Sequence, residues 1–62
     1  MKNRRKKELE SYLREVRSYS YGLSRALRRD DQDTEKMCLR MIHNSLNVID
    51  ALHEELERLR GE

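Results

Sequence analysis

The chain contains no proline, tryptophan or phenylalanine, only two glycines and one cysteine. Without proline, no position is closed to helix. With so little glycine there is no phosphate-cradling loop and no flexible linker. A lone cysteine, Cys38, excludes an internal disulfide, and no Cys/His spacing matches a zinc site. No apolar run is long enough to cross a bilayer. The basic start, Met1 to Lys7, is followed by no apolar signal core. Together with a single unpaired thiol, this gives the expectation of a cytoplasmic protein.

Charge is abundant instead. Asp, Glu, Lys and Arg make up 42% of the 62 residues, against 35% hydrophobic. That ratio suits exposed helices with narrow apolar stripes, or a disordered chain, and periodicity decides between them. Leu9, Tyr12, Val16, Tyr19, Leu23 and Ala26 are spaced alternately by three and four, an unbroken heptad seam. Cys38, Ile42, Ser45, Ile49, Leu52, Leu56 and Leu59 form a second seam of the same kind. Leu13 and Leu27 widen the first stripe. Leu39 and Leu46 widen the second on one side, Met41 and Val48 on the other.

The two seams are out of register, and the mismatch falls on Arg29 to Thr34. Asp is poor inside a helix and good at its N-cap, so Asp31, Asp33 or Thr34 can start a second helix. The expected architecture is all-α: one domain over residues 1–62, an antiparallel hairpin with helices at about 4–29 and 34–60, a turn at about 30–33 and a basic arm at 1–7. The rival is one long kinked helix, since no proline or glycine forces the turn. Gly61 is placed to end the second helix.

A 62-residue domain is marginally stable alone, and the second helix is apolar around much of its circumference from Met37 to Ile49. A homodimer forming a four-helix bundle is therefore expected. Its core residues would be Leu9, Tyr12, Val16, Tyr19, Leu23, Cys38, Met41, Ile42, Ile49, Leu52, Leu56 and Leu59. Cys38 reads as a buried structural thiol.

The net charge of +2 hides a split: residues 1–29 carry ten Lys/Arg against three Glu, whereas residues 30–62 carry four Lys/Arg against nine Asp/Glu. Pairing between a basic and an acidic helix is the plain reading. Lys7, Arg14, Tyr21 and Arg28 share one outward line, with Arg4, Arg17 and Arg25 beside it. With Arg5 and Lys6 of the arm, they are candidates for binding nucleic acid or an acidic protein. A solvated face is the competing reading.

The length, the turn near residue 30 and the basic first helix resemble Rop, a plasmid-encoded RNA-binding protein built as an antiparallel four-helix bundle. Lys7-Glu8-Leu9-Glu10-Ser11-Tyr12-Leu13 with Arg17-Ser18-Tyr19 is similar to the helical start of phage ArpU/RinA-type transcription regulators, whose DNA-binding region has no counterpart here. These resemblances imply a phage- or plasmid-encoded RNA- or DNA-binding regulator. Neither one fixes a family.

No catalytic triad or nucleotide loop is present, so an enzyme is not expected, nor a cofactor or small-molecule substrate. Ser45-Leu46-Asn47-Val48-Ile49-Asp50 lacks the Gln and the spacing of the Ser-Gln-x-x-Asp motif of sporulation phosphatases. Asp50, His53 and Glu57 share a helical side, but one His without a matching set argues against a metal. The leading expectation is a regulatory adaptor acting through protein contacts, by way of the apolar second helix or an acidic face of Asp50, Glu54 and Glu57. An RNA- or DNA-binding regulator is the alternative.

Overall fold

The computed structural model describes the backbone of residues 2–61 and the side chains of residues 4–61. It contains two helices, α1 (Lys2–Arg29) and α2 (Gln32–Gly61), packed against each other as a hairpin. A single continuous helix of this length would reach roughly 90 Å at 1.5 Å per residue. The molecule instead measures 49 × 15 × 11 Å.

The reversal takes two residues. Asp30 has a positive φ of 56°, the left-handed conformation that ends many helices. Its N–H donates to the Leu27 carbonyl at 3.3 Å, and the Asp31 N–H donates to the Ala26 carbonyl at 2.9 Å. This pair of bonds is a Schellman motif, with Asp where glycine is usual. Asp31 then caps α2: the Thr34 N–H donates to its Oδ1 at 3.2 Å, and the Thr34 hydroxyl donates to its Oδ2 at 2.6 Å. The Asp31 carbonyl accepts the first helical bond of α2, from the Glu35 N–H at 3.0 Å. Asp33 and Glu35 in the first turn of α2, and Arg28, Arg29, Arg58 and Arg60 in the last turns of the two helices, complement the helix dipoles.

Every member of both seams is buried or half-buried, and every widening residue (Leu13, Leu27, Leu39, Leu46, Met41, Val48) is exposed. The buried set is small: Ala26, Cys38, Ser45, Leu52 and Leu56. The alternation of three and four thus selects one face per helix, and two helices cover one face each.

Several expectations need correction. α1 begins at Lys2 and α2 at Gln32, each about two residues before the expected start; of the three expected caps, Asp31 is the one that starts α2. The arm at 1–7 is helical from Lys2, while Met1 lies outside the described residues. Gly61 continues α2 with no positive φ, so it does not terminate the helix in the expected way. Met41, expected in the core of a four-helix bundle, is 37% exposed in the single hairpin.

Candidate functional site

Two cross-helix approaches set the register. A guanidinium nitrogen of Arg5 lies 3.1 Å from a carboxylate oxygen of Glu55. Near the turn, a Cβ built on Gly22 would sit 3.2 Å from the Cys38 sulfur. Both pairs are symmetric about residue 30, so each level of α1 has a definite counterpart on α2. Glu8 and Glu55 line one recess, and Gly22, Arg29 and Thr34 another. The positions on that flank of each seam therefore share one broad face of the hairpin.

The opposite face carries the widening leucines: Leu13 and Leu27 from α1, Leu39 and Leu46 from α2. They are 45% (Leu46) to 58% (Leu27) exposed. Leu13 and Leu46 lie at nearly the same level. Continuing the heptad away from the turn, the same positions hold Lys6, His53 and Arg60. From mid-hairpin to the turn the leucines alternate with exposed Ser20 and Gln32 at the same heptad positions, and the open end is basic.

The outer line of α1 stands apart from the leucine face. Tyr21 is 74% exposed. Arg17, Ser20, Tyr21, Ser24, Arg25 and Arg28 line a shallow recess, and Glu10, Leu13, Arg14 and Arg17 line another. Each is lined by α1 alone, so no second element closes over a ligand. Among the described residues, Arg4, Lys6, Lys7, Arg14, Arg17, Arg25 and Arg28 form no ion pair within 4.0 Å. Among the described residues, the one ion pair between the two helices is Arg5–Glu55.

Of the candidate binding residues, Arg5 is the one that already has carboxylate partners. It is held by Glu8 at 3.0 Å and by Glu55, and it clasps the open end of the hairpin. Glu57 binds Arg60 at 2.9 Å and lies 3.6 Å from His53 Nε2, leaving Asp50 and Glu54 as the unpaired part of the acidic face. Among the described residues, no group of three or more His, Cys, Asp or Glu is arranged to hold a metal ion. Cys38 is buried as expected. No described helix is long and apolar enough to cross a membrane.

Gly22 is the contact residue that the seams did not pick out. It lies one position before Leu23 and lets α1 approach Cys38. The available signal was a lone glycine inside an otherwise periodic helix.

Compared with known proteins, the chain matches no family, no curated protein and no solved structure. The likeness to Rop rests on length, turn position and charge alone.

Proposed function

We propose that this protein is a non-enzymatic regulatory module that works as a homodimeric four-helix bundle, with the leucine face as its dimer interface and a protein partner as its target. The observation that carries this reading is four exposed leucines at one heptad position of the two helices, Leu13 and Leu46 at nearly the same level, on a chain rich in charge. Isolated exposed leucines are ordinary, but a contiguous apolar patch on one face marks a contact surface. The area agrees. A compact 7.6 kDa protein exposes roughly 4,300 Å². This hairpin exposes 5369 Å². The excess exceeds the roughly 800 Å² that each partner buries in a standard interface. The unpaired carboxylate of Glu54 is the polar contact offered to a target.

Light scattering tests the dimer. The expected mass is twice 7.6 kDa, falling to that of one chain in Leu13→Glu/Leu46→Glu. A folded, monodisperse monomer for the native chain overturns the reading.

The unpaired cations around exposed Tyr21 favour a second reading, an RNA- or DNA-binding regulator. Fluorescence anisotropy with labelled single-stranded RNA and duplex DNA separates the two readings. Nucleic-acid binding should weaken steeply with salt and collapse in Arg14→Ala/Arg25→Ala/Arg28→Ala. A protein adaptor shows neither response and loses its target when Glu54 becomes Gln.

A further inference from the structure

We infer that the second copy seats on the leucine face in the reversed direction, the turn of each hairpin beside the open end of the other, with the two-fold axis passing at the level of Leu13 and Leu46. This rests on the proposed homodimer and adds its orientation and register.

The charges bordering the leucines carry the inference. Leu13 is flanked on its helical side by Glu10 three residues before it and Arg17 four residues after it. Leu46 is flanked in the same way by His43 and Asp50. Each helix thus has one sign of charge, or a group able to take it, on one side of its leucine and the opposite sign on the other. An axis at that level, perpendicular to the helices, brings Glu10 of one copy to Arg17 of the other, and His43 to Asp50. One heptad further out it brings Lys36 to Glu57. Each of these contacts occurs twice, once from each copy. Glu10, Arg17, Lys36 and Asp50 have no ion-pair partner within the hairpin.

The two centres of alternation, on α1 and on α2, were read independently. The register set by Arg5–Glu55 and Gly22–Cys38 places them at the same level. A single axis therefore serves both helices, and the leucines common to both sit on it.

At the ends, the same axis brings Asp33 level with the partner's Arg60 and Leu39 level with its His53. The other face-to-face arrangement, with both turns at one end, sets Glu10 against Asp50 and one acidic turn against the other, which electrostatic complementarity disfavours.

Disulfide trapping tests the orientation. In a Cys38→Ser background, Leu13→Cys should cross-link to itself under mild oxidation, as should Leu46→Cys, because residues on the axis meet their own copies. A mixture of the two variants should give little cross-product. A dominant 13-to-46 cross-link overturns the reversed arrangement and leaves the dimer standing. A monomeric mass for the native chain removes the dimer and this orientation with it. Circular dichroism reports whether the cysteine variants remain folded. A second test needs no cysteine: Glu10→Arg or Arg17→Glu alone should weaken dimerisation several-fold, and the double exchange in one chain should restore it. No restoration overturns the register.

Discussion

Asp31 holds α2 in place through two bonds from one residue, Thr34. These bonds to the ionised carboxylate hold its pKa below the ordinary Asp value, the Thr34 hydroxyl contributing most and the Thr34 N–H next. A depressed pKa means stability that is complete above about pH 4, where the unfolded carboxyl is also ionised, and that fades as pH falls through the folded value. Asp31→Ala should therefore lower the thermal midpoint at pH 7, with the gap to the native chain narrowing in acid. A gap independent of pH between 7 and 2 would show that the cap does not act through its charge. Gly22 gives a second residue-scale prediction. Glycine inside a helix costs about 1 kcal/mol relative to alanine, yet a Cβ here would press on the Cys38 sulfur at 3.2 Å. Gly22→Ala should gain little in the native chain and close to about 1 kcal/mol in a Cys38→Ala background, measured by urea denaturation as a double-mutant cycle. Equal effects in both backgrounds would mean that the close approach does not constrain the helices.

At the scale of the elements, a clasp stands at the open end and a cap at the turn. The Arg5 and Glu55 side chains are 38% and 34% exposed, so solvent screens their attraction and the pair contributes at most about 1 kcal/mol. Glu55→Gln should change global stability by less than about 1 kcal/mol. It should speed hydrogen exchange in the first two turns of α1, an effect that disappears in 1 M salt, where the Debye length is about 3 Å. Unchanged exchange at low salt would deny the clasp its role. This scale also shows what was legible in the sequence. Both seams were readable because helical spacing alone decides which side chains share a face. The turn was readable from the break in register, and Asp31 was one of three candidate caps; Asp33 and Thr34 share its cap chemistry, and only the fold selects among them. The roles of Arg5 and Gly22 depend on how far one helix slides along the other, and no local spacing encodes that. The leucine face was legible as four widening residues, but placing them on one side required the hairpin.

At the scale of the whole molecule, the hairpin is a slab 11 Å thin with few deeply buried side chains. Its radius of gyration, 14.4 Å, exceeds the roughly 11 Å of a compact domain of this length. Folding coupled to association makes the melting temperature depend on protein concentration. The thermal midpoint of the native chain should climb as concentration is raised a hundredfold, while that of Leu13→Glu/Leu46→Glu should stay low and flat. A constant midpoint for the native chain, at a mass of one subunit, would assign all of its stability to the lone hairpin.

The two-residue reversal at Asp30 also has a kinetic consequence. Contacts nearest the bend join residues close in sequence and close the smallest loops. Those at the far end, such as Arg5 with Glu55, join residues almost a whole chain apart. Loop-closure entropy therefore favours zipping outward from the bend, with the basic tip last to dock and first to fray. Such short-range topology permits hairpin formation in microseconds to milliseconds; for the proposed dimer, the bimolecular encounter of two preformed hairpins is then the slow, dilution-sensitive step.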